Sequence, residues 1–138
     1  MKIYRTTDRI SVKIDDVTIK LAPLTLLQKS EIQTYLAEAS KGKGQSGLQG
    51  AMLAVKYSLK DIKGVEDQDG NPYELKFDGD VLADECVEEL LNSEISDKMM
   101  ITCSTLAVSI RDTIINPITN KPLEGVKILK NAKRGQKK

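Results

Sequence analysis

The residues of this chain that could do chemistry are carboxylates set side by side at Asp15-Asp16, Asp84-Glu85 and Glu88-Glu89, an acidic loop over residues 67–78, a Gly- and Lys-rich loop over 41–47, two cysteines, and a run of cations near the C-terminal end. Paired carboxylates support acid–base catalysis when two of them converge in one pocket with unequal environments. Neighbours on a helix point about 100° apart, so Asp84, Glu85, Glu88 and Glu89 read as the solvated face of a helix. Asp84 and Glu88, at i and i+4, share a side and form a small acidic patch. Histidine is absent from all 138 residues, which removes the commonest general base and every Ser-His or Cys-His arrangement. The chain is therefore expected to be non-enzymatic.

Metal and nucleotide sites are excluded on similar grounds. Asp67, Asp69, Asn71 and Asp78 fall at positions 1, 3, 5 and 12 of a calcium loop, but the sixth position is Pro72, where the sharp turn needs glycine. Asp69-Gly70 there reads as the turn of a hairpin. The 41–47 loop follows a helix and runs Gly-Lys-Gly-Gln-Ser, whereas a phosphate loop follows a buried strand and ends in Gly-Lys-Ser/Thr. Two cysteines without histidine are too few ligands for a structural zinc site, and Cys86 and Cys103 lie in apolar periodic patterns typical of reduced core thiols. No cofactor is expected.

The charge is unevenly placed. Six of the 21 Lys and Arg follow Val126, with no acidic residue among them, which leaves the body at a net of about −5. Residues 1–126 read as one globular domain, and 127–138 as a basic tail. Lys130, Lys133, Arg134, Lys137 and Lys138 are the candidate partner contacts, able to meet nucleic acid, an acidic partner or the acidic body. With one Phe and no Trp to stack on bases, nucleic acid is the weakest of these. Apolar stretches are interrupted well before the roughly 18 residues of a membrane span, so a protein without membrane attachment, in the cytoplasm, is expected.

The elements that would position these groups follow from periodicity. Ile10-Ser-Val-Lys-Ile14 and Val17-Thr-Ile-Lys-Leu21 alternate around Asp15-Asp16 and predict a β-hairpin. Thr25 and Gln28 form a capping box that starts a helix reaching about Ser40, with Ile32, Tyr35, Leu36 and Ala39 on one face. Ser46 and Gln49 predict a second capping box, opening a helix over 47–60 with Leu48, Met52, Val55 and Leu59 as its stripe. Strands over 62–65 and 73–77 would make a small middle hairpin. Asp80 or Asp84 would cap a third helix ending near Asn92. A fourth would run from Ser96 through Met99, Cys103, Leu106, Ile110 and Ile114 until Asn116-Pro117. Gly125 to Leu129 suits a short strand. The fold class is α+β, mostly helical: an N-terminal β-hairpin, about four helices and a small middle β-hairpin.

The pattern Ile-x-Leu-x-Pro-Leu-Thr-x-x-Gln-x-x-Glu-Ile over 19–32 resembles the N-terminal region of tail assembly chaperones of long-tailed bacteriophages. The helix Ala51-Met-Leu-Ala-Val-Lys-Tyr-Ser-Leu-Lys60, the segment Asp-Gly-x-x-Tyr-x-Leu over 69–75, and Asp84-Glu-Cys-Val-Glu-Glu-Leu-Leu91 extend that resemblance across residues 15–92. It implies a protein of the host cytoplasm that binds the tape-measure protein, keeps its helices from aggregating, helps recruit tail-tube subunits, and is absent from the finished virion. A homo-oligomer is compatible with it. A structural tail or head–tail connector subunit is the alternative, and a small nucleic-acid-binding accessory protein acting through the basic tail is a third. A chaperone for amphipathic helices needs an apolar helical surface, which the second and fourth helices could supply on rearrangement or oligomerisation.

Overall fold

Alternation in the first strands decides which way the sheet faces. The computed structural model of the chain describes residues 3–129. Strands β1 (Ile10–Ile14) and β2 (Val17–Leu21) pair antiparallel in the register Ile10↔Leu21, Val12↔Ile19 and Ile14↔Val17, so all six apolar side chains share one buried face. Asp15 takes φ +52° in the connecting turn, a left-handed conformation that Asp tolerates better than most residues. Strand β3 (Leu59–Lys63) joins the free side of β2, and β6 (Val126–Ile128) joins that of β1, giving the antiparallel order β3-β2-β1-β6.

Among the described residues, four helices and a short second hairpin complete the architecture. Helix α1 (Leu26–Ser40) opens on the capping box: the Gln28 N–H donates to Thr25 Oγ1 at 3.2 Å, and the Thr25 N–H to Gln28 Oε1 at 3.0 Å. Helix α2 (Gly44–Ser58) crosses α1 closely at Gly50, where a Cβ would stand 3.1 Å from Leu36 and Tyr35 and 3.3 Å from the Ile32 carbonyl oxygen. Strands β4 (Phe77–Asp78) and β5 (Val81–Leu82) form the second hairpin, followed by α3 (Asp84–Leu90) and α4 (Ser96–Val108). The buried sheet face joins Ile32, Ala54, Val55, Leu82, Cys86, Leu90, Met99, Cys103 and Leu106 in one core. This is the expected mixed α+β class, an N-terminal hairpin followed by helices with small hairpins between them.

Several local expectations are overturned. Helix α2 begins at Gly44 behind Lys43, with no side-chain cap at all, so Ser46 and Gln49 lie inside it. It ends at Ser58 rather than 60, because Leu59 and Ile62 bury themselves by pairing with Leu21 and Ile19 of β2. The first arm of the expected middle hairpin is thus spent mostly on the main sheet. The hairpin itself still forms around the expected Asp69-Gly70 turn, through the Glu66↔Pro72 bridge, the Tyr73 N–H donating to the Val65 carbonyl at 2.8 Å and the Asp67 N–H to the Asn71 carbonyl at 2.9 Å. Neither Asp80 nor Asp84 caps α3; Ala83 precedes it, and Asp84 sits in the first turn, where the helix dipole favours an anion. Helix α4 stops at Val108, and Ile114 reaches the core from a loop that the Ile115↔Pro122 bridge closes. The domain boundary drawn at residue 126 falls within β6, since Lys127 and Ile128 pair with Lys13 and Val12.

Candidate functional site

The carboxylates that invited a chemical reading do not converge on one site, apart from Asp84 and Glu88, which line the same groove. Asp15 accepts from Lys98 Nζ at 3.0 and 2.9 Å beside the first turn. On α3, Asp84 pairs with Lys56 at 2.7 Å, Glu85 with Lys76 at 3.3 Å, and Glu89 accepts from the Tyr73 hydroxyl at 2.6 Å. The α3 carboxylates thus sit on an exposed face, Asp84 tied to α2 and both Glu85 and Glu89 to the 64–76 segment. In the 67–78 loop, Asp67 Oδ1 accepts from the Asp69 and Asn71 N–H groups at 2.9 and 3.0 Å, turning the chain on itself. No group of three or more potential metal ligands occurs among the described residues. Lys130, Lys133, Arg134, Lys137 and Lys138 lie outside the described residues.

An open groove occurs where α1, α2 and α3 meet. It is lined by Tyr35 of α1, Gln49, Met52, Leu53 and Lys56 of α2, and Asp84, Val87 and Glu88 of α3, with a volume of about 270 Å³. A cavity of about 150 Å³ admits one benzene-sized group, so the groove has room for roughly two apolar side chains. Tyr35, Met52 and Leu53 are half-buried, while Val87 is nearly closed from solvent. The polar groups lie at the rim: the mostly covered Lys56 neutralises the exposed Asp84, and Glu88 has no ion-pair or hydrogen-bond partner among the described residues.

Its walls are fixed by polar ties between elements. The Tyr57 hydroxyl of α2 donates to Glu31 Oε1 of α1 at 2.7 Å, and that hydrogen bond, reinforced by burial and the Glu31 charge, pushes the phenol up to about 12. Burial, then the Cys86 thiol at 3.1 Å and Glu89, raise Tyr73 above the usual phenol range; this residue clamps the 64–76 segment onto α3. Both cysteines are free and buried, and burial pushes the Cys103 thiol up to about 12. Burial first, and then the Arg9 cation, lower Lys60.

The α2–α4 pair, expected to offer apolar surface, buries most of it but leaves Leu48 and Val108 exposed, at 50% and 37%. Met99, Cys103 and Leu106 of α4 are buried against α2 and the sheet, whereas Met52 emerges on the other side of α2. The two methionines, indistinguishable by periodicity, part company here. Further apolar surface stands at Leu26 and Leu27, 81% and 83% exposed in the first turn of α1. Adjacent apolar residues do not signal the groove in the sequence, since Ala54 and Val55, next to Met52 and Leu53 on the same helix, are both buried in the core.

No helix among the described residues is long and apolar enough to cross a membrane. Comparison with known proteins finds no matching family model, no matching curated protein and no matching solved structure.

Proposed function

We propose that this chain is a non-enzymatic phage tail assembly chaperone, which holds helical segments of the tape-measure protein in the α1–α2–α3 groove before the tail tube polymerises. The observation that carries this reading is the half-buried Tyr35, Met52 and Leu53 surface, left open by helices whose other faces build the core. An amphipathic helix laid in such a groove buries its apolar face and is read through a few anchor side chains. Each apolar anchor removed from water is worth about 1.5–3 kcal/mol, so two anchors alone do not offset an association cost of about 4–15 kcal/mol, and capture draws on further contacts along the client helix. The chaperone acts in the host cytoplasm, brings tail-tube subunits to the tape measure, and leaves before the virion is complete.

Co-expression with the tape-measure gene of the same phage is the test. The tape measure should remain in the supernatant and co-purify with this chain. Equal tape-measure precipitation with and without it would defeat the proposal.

A further inference from the structure

The outer face of the sheet carries a feature that the groove does not use. Pairing places Lys127 of β6 opposite Lys13 of β1, Lys13 opposite Thr18 of β2, and Thr18 opposite Lys63 of β3, so the four residues form one row across the sheet. Directly paired residues share a face, and the three lysines are exposed while their neighbours Val12, Ile14 and Ile62 are buried beneath. Lys20, two residues along β2 from Thr18, adds a fourth exposed cation; it stands opposite Asp61, the carboxylate in register on this face. None of the ion pairs among the described residues involves Lys13, Lys63 or Lys127. Like charges placed directly opposite each other, as Lys13 and Lys127 are, destabilise a sheet.

We infer that this face is a second interaction surface, and that it takes an extended acidic segment of a protein partner. Strands lie about 4.8 Å apart, so the row from Lys127 to Lys63 spans roughly 14 Å. An extended segment with carboxylates at i, i+2 and i+4 also spans roughly 14 Å, which sets its acidic side chains over the lysine row. Nucleic acid fits less well. The outward residues Ser11, Lys13, Thr18, Lys20, Asp61, Lys63 and Lys127 include no aromatic ring on which a base could stack.

The test uses the full chain and two fluorescent probes, a twelve-residue peptide alternating Glu and Thr and a twelve-nucleotide oligothymidine, read by anisotropy at low salt. The peptide should bind more tightly than the oligonucleotide. The Lys13→Glu/Lys63→Glu variant should weaken peptide binding about tenfold, since the charges that attract the peptide now oppose it. It should keep or raise its urea midpoint, because a carboxylate at position 13 relieves the repulsion with Lys127. The same charge change made by Lys133→Glu/Lys137→Glu should alter binding less than about twofold. A larger loss from that second variant, tighter binding of the oligonucleotide, or no peptide binding would each overturn the inference.

Discussion

Met52 and Met99 are chemically identical side chains that the structure puts in opposite places, and truncating each to Ala separates core from binding surface. Met99 is fully buried, in one core with Leu82, Cys86, Cys103 and Leu106. Removing its side chain beyond Cβ should cost about 2–5 kcal/mol, as for other large-to-small changes in packed cores. Set against a stability of about 5–15 kcal/mol, a loss of about 2–3 kcal/mol leaves a folded but weakened protein, and a loss of about 5 kcal/mol reaches the lower end of that range. At roughly 3 °C per kcal/mol for a chain of this length, Tm should fall by about 6–15 °C. Met52 is half-buried at the groove, where water already reaches the side chain, so its truncation should cost under about 1.5 kcal/mol. Urea denaturation followed by circular dichroism gives both values, with unchanged slopes showing that the same surface unfolds. In co-expression the order should reverse among folded variants, with Met52→Ala releasing the tape measure and Met99→Ala retaining it at a temperature where it stays folded. Equal destabilisation by the two changes, or full client retention by Met52→Ala, would refute the division of labour.

Three further outcomes follow from particular contacts. Thr25→Ala removes the capping hydroxyl of α1 and should cost about 1 kcal/mol; Gln28→Ala should add less in that background than alone, because the two bonds act as a unit, as a double-mutant cycle on Tm will show. Gly125→Ala should destabilise by more than about 1 kcal/mol in urea, since Gly125 holds φ +81° and a Cβ would run into the Asp15 carboxylate and stand 2.9 Å from Lys98 Nζ. Tyr57 keeps its proton in the fold up to about 12 but loses it near 10 when unfolded, so its stabilising contribution is complete below about pH 10 and disappears as pH rises through about 12. Tyr57→Phe should flatten that part of the stability–pH curve and remove a late step from the phenolate absorbance titration.

What can be read from the chain is what neighbours in sequence decide. The β1–β2 hairpin and the Thr25–Gln28 cap depend on residues within a few positions of each other; the cap forms with both expected hydrogen bonds, and the hairpin forms around Asp15-Asp16 in a register that alternation with an Asp-Asp turn does not fix. The end of α2 is hidden because Ala51–Lys60 is good helix sequence throughout; Leu59 becomes a strand only because β2, some 40 residues earlier, offers an edge. The end of α4 is hidden likewise, since Ile110 and Ile114 keep helical spacing while reaching the core from a loop. The groove is the least legible feature. Tyr35, Met52 and Val87 come from three helices and are of the same residue types as the core, so only the packing tells which of them meet solvent.

The most direct test of the central claim is a methyl spectrum of the chain labelled with 13C at its methionines, recorded with and without a helical fragment of the tape-measure protein. Capture in the groove predicts that the Met52 methyl resonance shifts or broadens as fragment is added while that of the buried Met99 stays in place. Binding of the fragment with Met52 unchanged would contradict the groove as the client site, and no binding at all would contradict the chaperone function itself.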